Sequence, residues 1–112
     1  MASGEGREQA PFTVNRADIV ESQLADITSY LVAGTGSTRA ALDVLGRLEM
    51  AFENLARFPY LGVVPRRPSL SRRGYRMLVV GRYLVFYKVR EDCREIMVYG
   101  IFHGAQDYES WL

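Results

Sequence analysis

The chain has 112 residues, 48% hydrophobic and 24% charged, the make-up of one globular domain able to build its own core. No apolar run approaches the roughly 18 residues of a membrane span, and the opening MASGEGREQA lacks the apolar stretch of a secretory signal. The net charge of +1 hides a polarised distribution: Arg57, Arg66, Arg67, Arg72, Arg73, Arg76, Arg82, Lys88 and Arg90 fall between Glu53 and Glu91 with no acid among them.

Residues 1–10 are small and polar and read as a disordered lead-in; residues 11–112 read as a single domain. Pro11–Asn15 is β-prone and predicts a first strand. Asp18 then serves as a candidate N-cap, with Glu21 three residues on as in a capping box. Val20, Leu24, Ile27 and Leu31 recur at helical spacing, and Gly34 and Gly36 end that helix. Ser37 or Thr38 starts a second helix with the stripe Ala41, Leu45, Leu48, Phe52 and Leu55, and Pro59 stops it. Gly46 inside it costs about 1 kcal/mol against alanine, a cost expected to reflect close approach of the two helices. Together these segments predict a helical hairpin.

From Tyr60 to Gly74 the text is proline, glycine, serine and arginine pairs, an irregular connection of the length at which function often sits. Three β runs follow. Tyr75–Val80 and Arg82–Val89 flank Gly81, and Glu91–Arg94 turns into Glu95–Phe102. In the middle run, period two places Tyr83, Val85, Tyr87 and Val89 on the helices and the even positions partly in solvent. The resulting fold class is α+β, an N-terminal helical hairpin packed on a small antiparallel sheet.

The chemistry-bearing residues are few. One histidine and one cysteine, His103 and Cys93, give no metal cluster, disulfide or nucleophile–base pair, so no cofactor or metal is expected and a cytoplasmic setting fits. The strongest signal is the arginine-rich segment, because ordinary surfaces mix the two signs. Arg66, Arg67, Arg72, Arg73, Arg76 and Arg82 are candidates for binding an anionic partner, nucleic acid or acidic protein, through their planar forks. Tyr75, Tyr83, Tyr87, Tyr99 and Tyr108 are candidates for stacking bases beside them, with core packing favoured for Tyr83 and Tyr87.

The order of parts resembles a known family. FPYLG after the second helix, then YRMLV, RYLVFYKV and the terminal FHGAQD are similar in order and spacing to the RelE/ParE superfamily of type II toxin–antitoxin toxins, over about residues 12–112. The resemblance implies a growth-arresting toxin neutralised by a cognate antitoxin in a hetero-oligomer. Two branches share the fold. RelE-like members are ribosome-dependent mRNA endonucleases, for which Arg76, His103 and Tyr108 would be the catalytic set here. ParE-like members lack that set and poison DNA gyrase. Leu84 stands where the RelE-like pattern usually places an arginine, and leucine cannot stabilise charge developing on a phosphate. The IFHGAQD ending is also closer to the ParE-like style, so the resemblance implies a ParE-like gyrase inhibitor, with the mRNA endonuclease as alternative.

Overall fold

The computed structural model describes residues 11–104 and 106–112, so the expected lead-in lies outside the described residues. Strand β1 (Thr13–Arg16) leads into helices α1 (Asp18–Thr35) and α2 (Thr38–Arg57). A loop carrying a one-turn helix, α3 (Pro68–Ser71), then reaches β2 (Arg76–Val80), β3 (Tyr83–Arg90) and β4 (Glu95–His103), and a 3-10 turn at Tyr108–Ser110 follows. The sheet order is β1-β4-β3-β2. Strands β2, β3 and β4 form the expected antiparallel meander, but β1 pairs parallel to β4, with Val14 opposite Ile96, so the sheet is mixed.

The helical hairpin forms for the reasons its sequence gives. Val20 and Leu24 of α1 and Leu48, Phe52 and Leu55 of α2 are buried in one core with the sheet, and Ala41 of α2 is buried as well. Ser37 caps α2, its hydroxyl accepting from the Ala40 N–H at 3.1 Å, and Gly36 closes α1 in the left-handed region at φ 68°. The capping box at Asp18 does not form. Ala17, whose methyl group offers no acceptor, is the N-cap without a side-chain bond; its N–H donates to the Val98 carbonyl at 2.9 Å, and Glu21 accepts from Arg16 at 3.2 Å.

The main core lies between hairpin and sheet and includes Phe12, Val20, Leu48, Phe52, Val85, Tyr87, Ile96, Val98 and Ile101. The reverse face of the sheet is covered too, which period two had left partly in solvent. Phe86 is fully buried there with Leu70, Tyr75 and Phe102, joined by Met77, Leu84, Tyr99, Tyr108 and Leu112. The α3 loop and the C-terminal tail close over that face. A register shift makes both cores compatible. Phe86 lies opposite Gly100 and Tyr87 opposite Val98, which leaves Tyr99 as the extra residue of a β-bulge. The bulge changes phase, so Ile96, Val98 and Ile101 share one face while Phe102 turns to the other. Gln23 of α1 reaches this point and accepts from the Ile101 N–H at 2.7 Å.

Candidate functional site

Two surfaces stand out, and the first is an apolar groove along the open edge of the sheet. It has a volume of about 590 Å³ and runs between α2 and β2, lined by Leu42, Gly46, Met50, Leu61 and Val79 among others. Leu42 is 59% exposed, Met50 56% and Val79 60%, a concentration of apolar surface that a monomer ordinarily buries. The edge is only partly occupied. Val63 bridges Met77 through two backbone bonds of 2.8 and 2.9 Å. One pair further on, Leu61 has turned away, its N–H donating to Phe58, and by antiparallel alternation Val79 presents its peptide groups outward. Gly46 is not a helix–helix contact as its sequence position suggests. A Cβ there would meet nothing within 4 Å, because Gly46 forms part of the groove floor.

The second surface is the arginine arm on the reverse face. Arg66 and Arg67 precede α3, and Arg72 and Arg73 follow it. Arg67 pairs with Glu109 at 2.5 Å, the same carboxylate that accepts from Ser69, and Arg73 donates to the Leu112 carbonyl while lying 5.2 Å over the Tyr75 ring. Lys88 sits 4.4 Å over the same ring from the sheet side. Burial holds the Tyr75 phenol above its ordinary value, with Arg73 pulling the other way.

Arg76 and Arg82 belong to neither cluster. Arg76 pins the loop to β2, its guanidinium donating to the Gly62 carbonyl at 2.7 Å and lying 5.1 Å over Tyr60; its buried Nε has no partner among the described residues. Tyr60 donates in turn to Glu91, the bond that chiefly raises its pKa. Arg82 lies in the β2–β3 turn and lines a cleft with Asp26, Tyr30, Tyr83 and His103.

The set Arg76, His103 and Tyr108 does not converge. His103 ends β4 opposite Tyr83, its ring edge-on to that tyrosine at 6.1 Å, and its N–H donates to the Gln106 side chain at 2.6 Å. Arg76 lies opposite Tyr87, four residues along β3 and so roughly 13 Å away along the strand. Tyr108 packs on the reverse face, 4.8 Å from the Phe86 ring. Leu84 faces that same apolar cluster and pairs with Phe102 across the strand. The tyrosines offered as base-stacking partners are committed to packing: Tyr75 and Tyr87 are buried, Tyr99 sits edge-on to Tyr75 at 5.4 Å, and Tyr83 borders the main core. Trp111 was not among the expected site residues; it is exposed in the tail whose Glu109 and Leu112 bond to the arginine arm. Its signal was a lone tryptophan near the end of a polar tail.

A helical hairpin on one face of a four-stranded sheet, with β1 returning parallel beside β4, is the plan of the RelE/ParE superfamily toxins. The family model described as the ParE toxin of the type II toxin–antitoxin system parDE matches residues 15–108, and the chain belongs to this family. Among solved structures, the fold is similar to the chromosomal ParDE toxin–antitoxin system from P. aeruginosa, with a TM-score of 0.69 and 16% identity over 84% of this chain and 97% of that one. It is also similar to the toxin–antitoxin complex RelBE2 from Mycobacterium tuberculosis, with a TM-score of 0.59 and 20% identity over 87% of this chain and 95% of that one. No curated protein matches the sequence. No helix among the described residues is long and apolar enough to cross a membrane.

Proposed function

We propose that this ParE-family toxin arrests growth in the cytoplasm by inhibiting DNA gyrase, and that a cognate antitoxin holds it inactive by filling the groove between α2 and β2. The observation that carries the target is the apolar filling around Leu84. Phe86, Phe102 and Tyr108 pack where a nuclease needs charge, and Arg76 and His103 lie far apart along the sheet. A phosphoryl-transfer site needs donors gathered around one developing charge, and these residues do not gather. The observation that supports the antitoxin site is the exposed Leu42, Met50 and Val79 beside an open strand edge. That surface suits a segment contributing both apolar side chains and backbone hydrogen bonds.

The deciding experiment presents the purified toxin to gyrase with supercoiled DNA and, in parallel, to ribosomes carrying mRNA. Loss of supercoiling or accumulation of cleaved DNA is expected, with the mRNA intact. Codon-specific mRNA cleavage that disappears in His103→Ala would overturn the proposal in favour of the endonuclease, since general acid–base work typically contributes about 10²- to 10⁴-fold to rate.

A further inference from the structure

The arginine arm has no occupant in this scheme. Among the described residues Arg66 and Arg72 pair with no acid, whereas Arg67 is neutralised by Glu109 and Arg73 is held in place by the Leu112 carbonyl and the Tyr75 ring. Trp111, the chain's single tryptophan, is 64% exposed. The tail around it is tied to this arm on both sides. Glu109, two residues before it, accepts from Arg67 and Ser69; the carbonyl of Leu112, after it, accepts from Arg73 and from the Tyr75 hydroxyl at 3.3 Å. The segment that carries the exposed ring is thus anchored to the arm by four side chains, Arg67, Ser69, Arg73 and Tyr75, rather than left as a loose end.

Flat aromatic surface next to unpaired arginines is the composition that holds single-stranded nucleic acid, because the cations follow the phosphates and the ring takes an unstacked base. A duplex hides its base faces and would use only the charge. An acidic protein segment would satisfy the arginines and leave the ring without a defined partner. We infer that the α3 arm and Trp111 form a binding site for single-stranded nucleic acid, with Arg66 and Arg72 on phosphates and Trp111 stacked on one base. The site lies on the reverse face of the sheet, so it can be filled while the groove is occupied. It stands whether or not gyrase is the target.

The test uses the purified full chain, whose one tryptophan reports directly on the site. Fluorescence is titrated with oligothymidylate, oligouridylate and a DNA hairpin of equal length at low salt. Saturable quenching by at least one single strand is expected, with weaker binding of the hairpin; the ratio of thymidylate to uridylate affinity then says whether the 2′-hydroxyl is read. Followed by anisotropy of a labelled strand, Trp111→Phe should bind within a few-fold of the parent. Trp111→Ala should bind roughly 5- to 150-fold more weakly, the worth of one stacked base. Arg66→Ala with Arg72→Ala should flatten the log–log salt dependence by about 0.7 for each arginine removed. Far-ultraviolet circular dichroism confirms that each variant is folded. Hairpin binding as tight as single-strand binding and indifferent to Trp111→Ala would overturn the inference in favour of plain charge. Absence of oligonucleotide binding would overturn it outright, and if Trp111→Ala then abolished gyrase inhibition, the surface would be a protein contact.

Discussion

At the scale of single residues, two glycines that look alike in sequence behave in opposite ways. Gly46 sits in a helix with open space where its side chain would be, so Gly46→Ala should raise stability by about 0.5–1 kcal/mol in urea denaturation. The same methyl group enters the groove, so antitoxin affinity should fall as stability rises. Gly100 lies under the Phe102 ring, where a Cβ would come within 2.5 Å of Cε2. Phe102 is buried and cannot yield, so Gly100→Ala should lose about 1–3 kcal/mol by the same measurement. Tyr75 adds a dependence on pH. Burial raises its pKa above 10.0, which means the fold favours the neutral phenol. The stabilisation is complete below the unfolded value and is lost as pH rises through the folded one. The urea midpoint should therefore fall more steeply as pH rises through 10.0 and beyond in the parent than in Tyr75→Phe.

At the scale of elements, the helical hairpin was legible because each stripe needs only one buried face: Val20 and Leu24, then Leu48, Phe52 and Leu55, all land where their spacing puts them. The reverse-face core was not legible. Phe86, Tyr99 and Phe102 join it through a bulge that breaks the two-residue period, and nothing local to β4 announces where the phase changes. Parallel pairing of β1 with β4 was hidden for a related reason, since its partner lies some eighty residues away. Of the candidate site, the arginine arm was visible as charge, while the groove was not, because it is made by elements that meet only in three dimensions. The tail's part is testable. Tyr108 packs on Phe86 and Phe102, so Tyr108→Ala should cost about 1–2 kcal/mol of stability for a half-buried ring. Tyr108→Phe should keep both stability and toxicity, an outcome that proton transfer through its hydroxyl would not allow.

For the whole molecule, the arginine arm and the apolar groove are different surfaces. Nine cations and no acid occupy residues 54–90, and four of them, Arg66, Arg67, Arg72 and Arg73, flank α3; the groove between α2 and β2 is lined by Leu42, Met50, Leu61 and Val79 with Asp43 and Arg47 of opposite sign beside them. Separated in this way, they should govern different stages of antitoxin capture. The long-range field accelerates encounter, and the apolar contact sets residence time. Stopped-flow association should slow steeply between low and physiological ionic strength, whereas the dissociation rate should change little. An association rate indifferent to salt would show that the basic segment does not steer the partner.

The unfinished edge at Val79 also bears on how the protein behaves alone. Sheets usually guard their outer strands with lysine, proline or a covering segment; here β2 reads RMLVV, and its apolar neighbours Val63 and Val64 lie in the adjoining loop. Two copies meeting edge to edge would satisfy each other's peptide groups and hide those valines, a contact that can propagate. Free toxin should therefore cloud and pellet at concentrations where its complex stays clear. Val79→Lys should suppress that loss, followed by light scattering against concentration. Solubility, on this view, is something the molecule borrows from its partner.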